Sequence, residues 1–180
     1  MVISPQDVKV VVYREVYGFI SDLEVEQQYR SLMKVLHGNE ADAVAVNLPA
    51  RLALSSELFV FLLHDRCIIA SAQVTLASTF PKPHAYINNV AVLPEYQQYG
   101  LGRVVIEQAR FHTCRKWGCE EQDIILELTN NPKKKNGTFY QKLGFRARAD
   151  NRWPVRLLKW LLDAVGWKAK DETVVWVQDV

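Results

Sequence analysis

Between Tyr86 and Ala109 the chain reads YINNVAVLPEYQQYGLGRVVIEQA, and no other segment constrains the fold as strongly. An apolar run of strand character ends at Pro94, a glycine-punctuated loop follows, and a helical pattern begins at once. Strand, glycine-rich turn and helix N-terminus in that order build a pocket for phosphate oxygens. Gly100 and Gly102 let backbone N–H groups approach an anion closely, and the first helical turn aims its positive dipole end there. The loop, Gln97-Gln98-Tyr99-Gly100-Leu101-Gly102, has the pattern Q-x-x-G-x-G. It is neither G-x-G-x-x-G nor G-x-x-x-x-G-K-[ST], which argues against a dinucleotide-binding fold and a P-loop nucleotide hydrolase.

The flanking sequence supplies the other elements. β-branched residues from Gln6 to Arg14 predict a first strand. Ser21 and Glu24 form a capping box, and Leu23, Tyr29, Leu32, Met33 and Leu36 follow at helical spacing until Gly38. Asn39 to Ser56 reads as loop with at most a short helix. Leu58–His64 and Cys67–Thr79 form a hairpin around His64-Asp65-Arg66, and His84–Leu93 is the next strand. The helix after the glycine loop spans Leu101–Trp117. Asp123–Thr129 is a strand with Ile124, Leu126 and Leu128 on one side. A helix from Asn131-Pro132 to Leu143 stops at Gly144. Phe145–Ala149 and Thr173–Gln178 are last strands, and Pro154 opens a helix with an apolar stripe closed by Gly166. The expected fold class is α/β, or α+β: a mixed, mostly antiparallel sheet of six to seven strands flanked by helices, with an extra C-terminal amphipathic helix.

At 180 residues the chain is expected to form a single domain, 1–180, burying roughly 70% of its unfolded surface. A net charge of +2 argues against a bulk polyanion binder, so no nucleic-acid partner is expected. No apolar window is long enough to span a membrane, and MVISPQDVKV lacks the layout of a signal peptide. Cys67, Cys114 and Cys119 form no C-x-x-C pair and read as reduced thiols. A cytoplasmic protein without a metal site is expected.

The two glycine positions and a second segment together resemble a known family. The GNAT superfamily of acyl-CoA-dependent N-acetyltransferases carries [R/Q]-x-x-G-x-[G/A] after a strand, matched here by Gln97, Gly100 and Gly102. Phe139-Tyr140-Gln141-Lys142-Leu143-Gly144-Phe145 matches the family's FYxKLGF segment. The two motifs lie within Ala85–Arg146. The resemblance implies a GNAT-like fold that uses acetyl-CoA as co-substrate. It places the pyrophosphate on the amides of Gln97, Gln98, Tyr99, Gly100, Leu101, Gly102 and Arg103. It places the pantetheine arm along Val90, Ala91 and Val92, with an N–H near Val90 polarising the thioester carbonyl. It implies Tyr140 as the acid that protonates the departing thiolate, and Asn130 or Asn136 as a pantetheine contact. Lys133-Lys134-Lys135 could meet the adenosine 3′-phosphate, or be a solvated helix start.

An amine with pKa ~10.4 costs about 4.6 kcal/mol to deprotonate at pH 7, so a base is needed. Many members carry a glutamate on the strand that here holds Tyr86 to Leu93, yet Asn88 and Asn89 stand in that region. Glu127 on the next strand is the substitute named here, with His84 a lesser candidate. Trp153, Trp160 and Trp167, with five basic residues, mark 151–170 as an amphipathic segment. It could pack on its own domain, in a homodimer or against the acceptor pocket, or touch an anionic membrane. The resulting expectation is an acetyltransferase acting on a small-molecule or peptide amine. The alternative is a non-catalytic acyl-CoA-binding sensor or adaptor.

Overall fold

The run Glu57–His64 (ELFVFLLH) is apolar on both sides of a strand, and such a strand needs cover on both faces. In the computed structural model, which describes residues 7–12, 21–38, 56–79, 82–121, 123–130, 137–148 and 174–178, two helices supply that cover. The elements in chain order are β1 (Lys9–Val12), α1 (Asp22–His37), β2 (Glu57–His64), β3 (Cys67–Ser78) and β4 (His84–Val92). A 3₁₀ turn (Pro94–Tyr96) leads into α2 (Leu101–Trp117). Then come β5 (Ile125–Asn130), α3 (Gly137–Lys142), β6 (Arg146–Arg148) and β7 (Val174–Gln178).

The described strands form one sheet in the order β1-β2-β3-β4-β5-β7-β6. Only β4 and β5 pair in parallel, and α2 makes the crossover that a parallel pair requires. The other neighbours are antiparallel. The mixed, mostly antiparallel sheet with helices is therefore as expected. The β2–β3 hairpin turns on Asp65 (φ 48) and Arg66 (φ 65), the two left-handed residues of a tight turn.

Alternation along β2 divides the core. Leu58, Val60 and Leu62 join Val105, Ile106 and Ala109 of α2, together with Ile124, Leu126 and Leu128. Phe59, Phe61 and Leu63 face Val25, Tyr29, Leu32 and Met33 of α1. Tyr29 meets Phe59 and Phe61 edge-on, each at 5.9 Å between ring centres. Leu23, placed by spacing on the buried stripe, is instead 65% exposed, because it lies on the helix side opposite the stripe that Val25, Tyr29 and Leu32 bury. Of the expected first strand, Gln6–Arg14, pairing is described over Lys9–Val12, and Gln6, Tyr13 and Arg14 lie outside the described residues. The expected loop at 39–55, the start of a helix at 131–136, and the amphipathic helix within 151–170 fall outside the described residues. No helix among the described residues is long and apolar enough to cross a membrane.

Candidate active site

The site begins with a fault in β4. Gln73 of β3 lies opposite Asn88 and Ser71 lies opposite Ala91, so β4 carries one more residue than its partner over this stretch. The bulge centres on Asn89, which has φ 49, a left-handed conformation that asparagine tolerates better than most residues. On the far side, β4 pairs with β5 only from His84–Ile87 to Ile125–Leu128. Beyond that the two strands part, although β4 runs on to Val92 and β5 to Asn130. Among the described residues, the β5-facing edge of β4 after Ile87 therefore has no strand beside it.

Hydrogen bonds hold the bulge in place. Asn89 Nδ2 donates to Gln73 Oε1 at 2.8 Å, and Gln73 Nε2 donates to Glu57 Oε2 at 3.2 Å. His37 Nε2 lies 3.0 Å from Asn89 Oδ1, and Ser71 Oγ donates to the Asn89 carbonyl at 3.5 Å. Gln73 and Ser71 are fully buried, so these polar groups sit where partners are obligatory.

Next to the open edge stands the N-terminus of α2. Gly100 at its N-cap has φ 78, and no side chain caps the helix. The N–H groups of Arg103 and Val104 bond to the Gly100 carbonyl, while the earlier amides of a helix have no intrahelical acceptor. The two loop glycines are needed for different reasons. A Cβ on Gly100 would meet nothing within 4 Å, so its backbone angle demands glycine. A Cβ on Gly102 would lie 3.1 Å from Phe139 Cζ, so there space demands it. Gln97 folds back, donating from Nε2 to the Val92 carbonyl at 3.1 Å, and Gln98 takes φ 71.

A cleft of about 460 Å³ joins these parts. Val90, Ala91 and Val92 form one wall, and Gln97, Gln98, Gly100, Leu101 and Gly102 form the end by α2. Phe139 and Tyr140 of α3 close a second side, and Val35 and Leu36 of α1 a third. Tyr140 is buried, packs edge-on against Phe139 and Phe145, and has its phenol pKa raised by that burial. Most of the residues named from sequence thus share one cavity.

Others lie elsewhere. Tyr99 is exposed and absent from the cleft lining, and Arg103 turns to the Lys142 carbonyl at 3.4 Å. Glu127 is 1% exposed on the α1 side of β5 and does not line the cleft; its Oε2 stands 3.3 Å from His84 Nε2, at ion-pair distance without hydrogen-bond alignment. Asn130 ends β5 opposite Val174, where the backbone alone is described, and Asn136 with Lys133–Lys135 lies outside the described residues.

Residues 55–147, just over half of the chain, match the acetyltransferase (GNAT) domain family. The chain belongs to that family. No curated relative matches the sequence. Among solved structures, a GNAT-family protein from Desulfovibrio desulfuricans is similar at TM-score 0.67 and 18% identity, covering 96% of this chain and 98% of that one. The Trypanosoma brucei acetyltransferase is similar at TM-score 0.57 and 23% identity, over 81% and 96% of the two chains. PaiA N-acetyltransferase from Thermoplasma acidophilum, solved with coenzyme A, is similar at TM-score 0.61 and 11% identity, over 96% and 99%. At such identities the likeness establishes a shared fold.

Four lining residues of this GNAT domain escape a reading by sequence: Val35, Leu36, Tyr96 and Phe139. Phe139 looks like packing, and it is; what it packs on is Gly102, so the aromatic side chain joins the two sequence motifs. A signal existed for the bulge, since paired asparagines interrupt an otherwise apolar strand.

Proposed function

We propose that this GNAT protein transfers the acetyl group of acetyl-CoA directly to a primary amine within a ternary complex. The observation that carries the reading is the fork between β4 and β5, which opens beside an uncapped helix N-terminus and a buried tyrosine. Each part suits one portion of the co-substrate. The diphosphate suits the amides of the loop from Gln97 to Arg103, where a helix dipole favours negative charge. The two pantetheine amides suit the β4 edge at Val90–Val92, which has no strand beside it among the described residues, adding as an extra strand would. The thioester would then lie at the fork, with a backbone N–H near Val90 stabilising the oxyanion.

The chemistry divides among few groups. Holding amine and thioester together removes much of the entropic barrier. Tyr140 is the proposed acid: burial keeps the phenol protonated at neutral pH, ready to donate to the leaving thiolate. Glu127, the carboxylate named from sequence for the amine's proton, is buried beside His84 without hydrogen-bond alignment, which leaves that task to another group. Asn130 and Asn136 remain candidates for holding the pantetheine arm, and the acceptor is a small-molecule or peptide amine. A cytoplasmic, single-domain enzyme without a metal fits this reading.

One observation favours a non-catalytic acyl-CoA-binding module instead: β4 carries no carboxylate from His84 to Val92. Calorimetry with acetyl-CoA, followed by thiol release in the presence of primary amines, separates the readings. Binding with thiol release establishes the enzyme, and binding without it establishes the module. Tyr140→Phe should lower kcat about 100-fold, at the low end for a lost general acid, while acetyl-CoA affinity stays within about twofold. Unchanged turnover removes Tyr140 from the mechanism.

A further inference from the structure

Resting on the acetyltransferase reading, we propose that His37 takes the proton from the acceptor amine, with its ring set for that task by Asn89.

His37 lies in the last turn of α1, directly after Val35 and Leu36, which line the cleft opposite Val90 and Ala91. Its one described hydrogen bond is to Asn89, the residue whose left-handed backbone opens the fork. The direction of that bond follows from the chain of contacts behind it. Glu57 as a carboxylate only accepts, so the nitrogen of Gln73 faces it and the Gln73 oxygen faces Asn89. Asn89 then donates from Nδ2 to Gln73 and presents Oδ1, an acceptor, to His37. Hence Nε2 of His37 carries the hydrogen, and in the neutral ring Nδ1 has the lone pair. Among the described residues Nδ1 has no hydrogen-bond partner. An imidazole fixed through one nitrogen, with the other able to accept, is the arrangement a general base requires.

The surroundings suit the role. Facing α1 from β4 are Tyr86, Asn88 and Asn89, and from β3 Ser71, Gln73 and Thr75. The carboxylates on that side of the sheet are Glu57, at the end of the relay, and Glu127, held against His84. On its own helix Lys34 is the neighbouring basic group of the last turn. Charge forming on the ring as it gains a proton is offset through Asn89 and Gln73 toward the Glu57 carboxylate.

The step balances as follows. The ammonium loses one proton to Nδ1, and the freed nitrogen lone pair forms a C–N bond with the thioester carbon. The C–S bond breaks, and the thiolate takes the Tyr140 proton. The nitrogen, now bonded to carbon, gives up its second proton, which restores the phenol through solvent. The imidazolium releases its own proton to solvent, so one proton leaves per turnover.

His37→Gln tests this directly, because glutamine can still donate to Asn89 Oδ1 yet takes no proton at neutral pH. With n-butylamine, ethanolamine and lysine methyl ester as acceptors, kcat/KM at pH 7 should fall about 100-fold, with acetyl-CoA affinity within about twofold by calorimetry. The deficit should shrink toward pH 10, where the amine loses its proton unaided. An unchanged rate and pH profile overturns the assignment and leaves the acetyltransferase reading standing. A wild-type protein that binds acetyl-CoA but acetylates none of these amines sinks both, and is told apart because the parent chain itself is silent. If the variant does not fold, ¹⁵N imidazole spectra of the wild type decide: Nδ1 must be the nitrogen that gains a proton on acidification. A ring protonated on Nδ1 at pH 8 overturns the proposal.

Discussion

α1 and α2 both begin helices, and they begin them in opposite ways. At α1 the chain closes its own end: Glu24 N–H donates to Ser21 Oγ, and Ser21 N–H donates to Glu24 Oε2 at 2.9 Å. Those bonds from Ser21, backbone first, hold the Glu24 carboxyl below its ordinary pKa. At α2 a left-handed glycine replaces the cap, no acid stands in the first turn, and the amides open toward a cleft. A structural helix satisfies its own donors; a helix that serves a ligand leaves them for the ligand.

The largest expected effect comes from closing the open end. Gly102→Val would drive two methyl groups into the Phe139 ring, which already lies 3.1 Å from where a Cβ would stand, and would fill the approach to the amides. Acetyl-CoA affinity should fall at least 100-fold, about 2.7 kcal/mol, by calorimetry; preserved affinity would show that the glycine loop is scaffold alone. Gly100→Ala should act on folding more than on binding. Space is available, but φ 78 costs an alanine about 1–2 kcal/mol, readable as a lower Tm with acetyl-CoA affinity changed less than in the valine variant. Ser21→Ala should cost about 1 kcal/mol of stability and leave binding untouched, and an effect on affinity would erase the contrast between the helices.

The same cap carries a pH signature. A carboxyl whose folded pKa is depressed contributes stability above its ordinary value near 4.5, and that contribution is lost as pH falls through the folded value. Removing the Ser21 hydroxyl leaves the larger backbone bond to Glu24 in place, so it should flatten the acid limb of the stability curve in that range only in part. The change will be small, since Glu24 is solvent-exposed and screened.

What could be read from sequence was local. The capping box, the extent of α2 to Gly118, the hairpin turn and the glycine loop each depend on a few adjacent residues with one strong preference. The site's geometry was not local. That β4 and β5 separate after Ile87 and Leu128 follows from a register fault against β3, which asparagine at 89 permits but does not announce. The insertion of β7 between β5 and β6 is equally non-local. Glu127 could be placed on its strand, yet its burial against His84 depends on a neighbour brought in by parallel pairing. Phe139 shows the same limit, because its partner at Gly102 lies on a different helix.

The surplus residue at Asn89 has an effect on parity that reaches beyond the fork. Ala85 and Ile87 belong to the core under α2, and so do Val90 and Val92, across an odd step in the count. Excising that asparagine would restore the plain two-residue alternation, keeping Val90 and Val92 on the α2 side while removing the left-handed step. It would also let the two diverging strands zip together. One codon thus separates a receptacle from a sealed wall.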